Sequence, residues 1–156
     1  MNIKAIIFDW ARTLYDVDKN KEFFDSIDVL EYCKNKKYRL ALVSLVSEEE
    51  SVRGTNLKIR NEQINNSPLK TYFEKILTTD GDKDIILGET IKYFGIPNEE
   101  VLIVDDRVIR GIKYGNQNGC QTAWLQKGAF AKELPSPETG NPTFVIKSLS
   151  GLKEFI

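Results

Sequence analysis

The chain reads as a three-layer α/β domain built on a parallel sheet, because short β-rich apolar runs alternate along it with segments of helical periodicity. Two of those runs also stop at carboxylates: Ile3-Lys4-Ala5-Ile6-Ile7-Phe8-Asp9, and Val101-Leu102-Ile103-Val104-Asp105-Asp106. In open α/β sheets, ligands bind beyond the carboxyl ends of the strands. Acids at those ends are therefore candidates for chemistry, and not only turn formers. At 156 residues the chain has room for a single domain, 1–156, with an ordinary core.

Strands are expected at 3–9, 39–44, 75–79, 101–105 and 121–125, with a sixth over 143–146. A helix is expected over 20–36, where Phe23, Phe24, Ile27, Leu30 and Tyr32 recur at near-helical spacing. A second runs over 83–94, carries Ile85, Ile86, Ile91 and Phe94, and is stopped by Gly95. Shorter helices are expected near 47–58, 68–74, 108–118 and 148–154. The polar stretch from Ser47 to Pro68 reads as a solvated helix and loop, with an overhang above the site as the functional alternative. Ala131 to Pro142, with three prolines and a glycine, reads as a surface loop.

Composition narrows the function. Hydrophobic residues make up 41% and charged residues 29%, which disfavours both disordered and membrane classes. A net charge of -1 argues against a nucleic-acid footprint. No apolar run approaches the roughly 20 residues needed to span a bilayer, and the N-terminus enters a strand directly, so a cytoplasmic protein is expected. The cysteines, Cys33 and Cys120, read as two small buried hydrophobes. Histidine is absent, which removes histidine bases, triads and histidine-containing zinc sites from consideration.

What remains is a set of oxygen donors and one ammonium at strand or helix ends: Asp9, Ser44 after Leu40-Ala41-Leu42-Val43, Lys83, and Asp105-Asp106. Such a set suits Mg²⁺ and phosphate, and hence phosphoryl transfer through an aspartyl-phosphate.

These residues resemble the haloacid dehalogenase (HAD) superfamily over nearly the whole chain. Asp9-Trp10-Ala11-Arg12-Thr13-Leu14 looks like the first family motif, usually Asp-x-Asp-x-Thr. Ser44 looks like the second, Lys83 like the third and Val104-Asp105-Asp106 like the fourth, with 23 positions from Lys83 to Asp106. The resemblance implies a Rossmann-like core with strand order 5-4-1-2-3. It also implies a site between strands 1 and 4. Asp9 would be the nucleophile. Mg²⁺ would be held by Asp9, the Ala11 carbonyl and Asp106, as in the capless magnesium-dependent phosphatases. Ser44 and the backbone N–H groups of Trp10 and Ala11 would bind phosphate oxygens, Lys83 would neutralise charge, and Asp105 would orient Lys83 or a metal-bound water. Thr13 would pack or hydrogen-bond beneath the loop.

Two departures matter. Ala11 replaces the acid that protonates the leaving group, a contribution typically worth about 10² to 10⁴ in rate. Gly111 stands where a further acid is often found, which would weaken metal binding. The Asp-Trp-Ala-x-Thr form is similar to that of phosphonoacetaldehyde hydrolases, but these need an inserted cap, and only 34 residues separate Asp9 from Ser44. A dehalogenase is disfavoured for the same lack of room. Response-regulator receivers use similar groups in a different chain order. Arg12 reads as a surface arginine beside the loop, with a phosphate contact as the sharper alternative. Tyr15-Asp16-Val17-Asp18 could form a flap, from which Asp16 or Asp18 would replace the missing acid. The expected partner is a phosphorylated small molecule or macromolecule, with neither nucleic acid nor membrane, and a homo-oligomer is compatible. A Mg²⁺-dependent phosphohydrolase is the leading reading, and a non-catalytic phosphate-, metal- or protein-binding module is the alternative.

Overall fold

The computed structural model describes residues 1–47 and 55–156. The strands in chain order are β1 (Ala5–Phe8), β2 (Tyr15–Asp16), β3 (Lys21–Glu22), β4 (Arg39–Leu45), β5 (Lys75–Thr79), β6 (Val101–Asp105), β7 (Gln121–Leu125) and β8 (Phe144–Ile146). The helices are α1 (Ser26–Asn35), α2 (Leu57–Asn65), α3 (Lys83–Phe94) and α4 (Lys113–Gln117). Six strands form one parallel sheet in the order β5-β4-β1-β6-β7-β8. The five expected strands thus neighbour one another as anticipated, and β8 extends the sheet beyond β7. The pair β2-β3 forms a small antiparallel hairpin of its own.

Period-two alternation explains the three layers. Ile6, Phe8, Leu40, Leu42, Leu102 and Val104 point to one face, where Val29, Leu30 and Cys33 of α1 cover them together with Leu149 and Leu152. Ala5, Ile7, Ala41, Val43, Val101 and Ile103 point to the other face, against Ile86, Leu87, Ile91 and Phe94 of α3. Burial on both faces is why these strands read as continuous apolar runs.

α3 occupies the expected residues. The Asp82 side chain accepts from the Asp84 N–H at its start, and Gly95, at φ 63, ends it in the left-handed conformation that glycine adopts without a Cβ penalty. α1 is shorter than expected because residues 21–22 belong to the hairpin, and its phase differs too. Its buried face is Ser26, Val29, Leu30 and Cys33, at i, i+3, i+4 and i+7, while Phe24 is 93% exposed. Both cysteines are free and buried.

Residues 68–72 and 149–154 form 3₁₀ turns, and 108–112 is a distorted turn with a break at Arg110. Most of the helix anticipated over 47–58 lies outside the described residues; the helix that follows, α2, begins at Leu57 behind an Asn56 cap that accepts from Ile59 N–H. Among the described residues no helix is long and apolar enough to cross a membrane.

Candidate active site

The register of the sheet assembles the floor of the site. Phe8 pairs with Leu42 on one side and Val104 on the other, so Asp9, one residue further on, lies level with Asp105 at the carboxyl edge. The Asp9 N–H still donates to the Val104 carbonyl at 3.0 Å, which holds the residue in line with the strand. Past it the chain turns sharply: the carbonyl of Trp10 accepts from the N–H groups of Thr13, Leu14 and Tyr15 at 3.2, 2.9 and 3.0 Å. Trp10 itself is fully buried and stacks on Tyr15, with ring centroids 4.9 Å apart, and so pins the turn to the core.

Lys83, the first residue of α3, is buried with its Nζ donating to Asp9 Oδ1 and Asp105 Oδ2, each at 2.7 Å. The Thr13 hydroxyl donates to the other Asp9 oxygen at 3.0 Å. Asp105 is fully committed: Oδ1 accepts from Arg107 N–H at 2.9 Å, and Oδ2 accepts from Gly111 N–H at 3.0 Å as well as from Lys83. Its role is thus to fix the ammonium and the loop after β6. Gly111 has a steric reason: a Cβ there would lie 2.4 Å from Asp105 Oδ2. No acid fits at that position while Asp105 stays where it is.

Asp106 differs from its neighbour. Its backbone carbonyl accepts from the buried Trp124 indole at 3.1 Å, which anchors the residue, yet its carboxylate Oδ2 is buried and, among the described residues, lacks a hydrogen-bond partner. A buried carboxylate oxygen left without a partner is costly. Asp9, Asp105 and Asp106 bring ligand oxygens within 4.8 Å of one another. Hard oxygen donors in this arrangement fit Mg²⁺, with Asp9 and Asp106 as the carboxylates able to reach it.

The electrostatics agree with a site built for a cation. Burial raises the Asp9 pKa to about 6, and the Asp105 charge adds to it, although Lys83 pulls the other way. Asp106 is raised well above the usual carboxylate range, first by burial and then by the charges of Asp9 and Asp105, with Lys83 and Arg12 opposing. For Lys83, burial alone would lower the pKa; the Asp105 and Asp9 carboxylates outweigh it, so the ammonium stays charged.

Above this floor opens a cleft lined by Asp9, Ala11, Lys83 and Asp106 below. Its walls bring in residues that the sequence pattern did not single out for the site: Ser47, Arg107, Arg110 and Phe130. Arg12 is corrected from a surface residue to a lining one, and its φ of 63 is unusual for arginine. Ser44 lies at the end of β4, below the cleft. It is fully buried, and its hydroxyl accepts from Arg60 Nη1 at 2.6 Å; the serine lining the cleft is Ser47. Arg60, read from sequence as part of a solvated segment, is fully buried and also donates to the Leu45 carbonyl at 3.2 Å. Asp16 caps the hairpin turn by accepting from Asp18 and Lys19 N–H groups, each at 3.1 Å, and neither Asp16 nor Asp18 lines the cleft.

Residues 82–152 match the HAD-hydrolase-like family model. No curated protein matches the chain. Among solved structures, a HAD phosphatase from Thermococcus onnurineus superposes with a TM-score of 0.74 at 14% identity, over 97% of each chain. D,D-heptose 1,7-bisphosphate phosphatase from B. bronchiseptica, in complex with magnesium and phosphate, gives 0.74 at 17%, again over 97% of each. L-2-haloacid dehalogenase from Xanthobacter autotrophicus gives 0.70 at 12%, over 97% of each. Two further neighbours match 86% of this chain but only 56% of their own length. The chain therefore has the α/β Rossmann-like fold that these haloacid dehalogenase-type structures share, and its residues 82–152 are similar to the HAD-hydrolase-like family.

Proposed function

We propose that the chain is a capless, Mg²⁺-dependent phosphohydrolase that works through an aspartyl-phosphate on Asp9. The observation that carries this reading is the buried Lys83 ammonium, 2.7 Å from both Asp9 and Asp105, beside an Asp106 oxygen with no hydrogen-bond partner among the described residues. That combination orients one carboxylate for attack and leaves another for a cation.

Mg²⁺ would be held by the carboxylates of Asp9 and Asp106 and the carbonyl of Ala11, and when bound it would neutralise oxygens of the transferring phosphoryl group. Lys83 and Thr13 fix the plane of the Asp9 carboxylate through its two oxygens. An Asp9 oxygen attacks phosphorus, the bond from phosphorus to the leaving oxygen breaks, and the leaving group departs with the bonding pair. Water then attacks the phosphorus of the acyl phosphate, which releases inorganic phosphate and restores the carboxylate. Backbone N–H groups of Trp10 and Ala11, with Ser47 in place of Ser44, would meet the phosphoryl oxygens.

Ala11 offers only a methyl group where the leaving oxygen needs a proton, so substrates with stable leaving anions, aryl or acyl phosphates, are favoured over alkyl ones. The same methyl group favours the second reading, a phosphate- or metal-binding module without turnover. The two free buried thiols suit a reducing, cytoplasmic setting. Hydrolysis of 4-nitrophenyl phosphate decides between the readings. Turnover that needs Mg²⁺ and disappears in Asp9→Asn supports the enzyme, whereas Mg²⁺ binding without turnover supports the module.

A further inference from the structure

The floor of the cleft accounts for one phosphoryl group, and the wall beside it is basic. Arg12, Arg107 and Arg110 all line it. The Arg107 guanidinium stacks 3.7 Å from the centroid of Phe130, and that of Arg12 lies 5.3 Å from the same centroid. One aromatic ring thus holds two like charges near each other. Glu133 braces this wall: Oε2 accepts from Arg107 Nε and Oε1 from Ile109 N–H, both at 2.9 Å, which also positions the loop carrying Arg110. Arg12 is the more telling residue. It adopts φ 63, a conformation that glycine reaches freely and arginine does not, immediately beside the candidate nucleophile loop. A backbone outlier whose side chain lines the cleft points to a use for that side chain.

We propose that the cleft takes a phosphate monoester bearing a second anionic group, a carboxylate or another phosphate, which Arg12 and Arg110 bind while the phosphoryl group sits over Asp9 and Lys83. This rests on the phosphohydrolase reading above. Arg107 serves the subsite from behind, through its contacts with Glu133 and Phe130.

The test is calorimetric binding, at saturating Mg²⁺, of three non-hydrolysable probes: methylphosphonate, phosphonoacetate and methylenebisphosphonate. The expected result is that at least one doubly anionic probe binds roughly 10-fold or more tighter than methylphosphonate, from charge-assisted hydrogen bonds. Whichever of the two gains more identifies carboxylate or phosphate as the second anion. Arg12→Gly keeps the backbone conformation and removes the guanidinium, so the ratio within that variant should fall below about 3-fold, and Arg110→Gln should lower it too. Equal binding of all three probes by the wild type, or a ratio unchanged in both variants, overturns the second-anion subsite and leaves the phosphate site intact. Failure of even methylphosphonate to bind overturns the phosphate site itself, and the subsite with it.

Discussion

The floor and the wall of the cleft are built by different means. On the floor, Asp9, Thr13, Lys83 and Asp105 are buried and hydrogen-bonded to one another, and each stands within a residue or a turn of a strand or helix end. On the wall, Arg12, Arg107 and Phe130 are half-buried and come from three separate loops, the first far in sequence from the other two. The floor is positioned by sheet register and one helix start, so it tolerates little change. The wall is positioned by side chains meeting on an aromatic ring, which lets it define a ligand without defining the fold.

The largest expected effect comes from breaking the floor at its single cation. Lys83→Met strands two buried carboxylates, and removing one partner of a buried pair costs about 3–5 kcal/mol. Thermal melting should show that loss at neutral pH, and binding of Mg²⁺ with vanadate should disappear. Retained vanadate affinity would mean that another cation neutralises the site.

Gly111→Ala attacks the same floor from the backbone. Because a Cβ would sit 2.4 Å from Asp105 Oδ2, Asp105 or the loop after β6 must shift, at a cost of about 1–3 kcal/mol. The expected readout is a lower melting temperature together with weaker Mg²⁺ binding. An unaltered protein would show that the Gly111 N–H contact with Asp105 is dispensable.

Ala11→Asp sharpens the boundary between floor and wall by restoring an acid at the junction. Turnover of alkyl phosphates should rise by roughly 10-fold, short of the full acid-base range because the surroundings are not arranged around it. Measured kcat/KM for an alkyl and an aryl phosphate, in wild type and variant, checks this. Efficient alkyl hydrolysis by the wild type would reveal another acid, such as Asp16, acting in place of the one missing at Ala11.

The smallest effect is on pH dependence. In the metal-free protein the folded-state pKa of Asp9 is about 6, above the usual 3.8, and that of Asp106 is raised as well. The folded state therefore binds protons more tightly than the unfolded chain, and these groups add stability as the pH falls through 6 toward 4. Mg²⁺ competes with those protons. Its stabilisation of the fold should thus be greater at pH 7.5 than at pH 5.5, measured as the shift in melting temperature. An equal shift at both values would place the ion away from Asp9 and Asp106.

Most of the floor was legible in the chain itself because its causes are local. A β-rich run that ends in a carboxylate marks a strand end, and Gly95 marks the end of α3 through its backbone conformation. The same reading failed where a helix phase or a side-chain destination depended on distant neighbours. Phe24 matched a helical stripe yet points to solvent, because α1 docks through Ser26, Val29 and Cys33. Ser44 matched a motif position, and its contact with the buried Arg60 of α2 and the place of Ser47 in the cleft lining were not legible from that match.

The sequence alone therefore determined the layer order, the strand ends and the acidic-plus-lysine character of the site, since period-two and helical patterns, caps and strand-terminal acids act over a few residues. Only the tertiary structure decided that Asp105 is saturated while, among the described residues, an Asp106 oxygen is not, that a Cβ at Gly111 would collide with Asp105, and that Arg12 and Arg107 meet on Phe130. Those facts depend on which side chains the parallel crossovers bring together across the carboxyl edge of the sheet. Spacing along the chain carries no record of those distances.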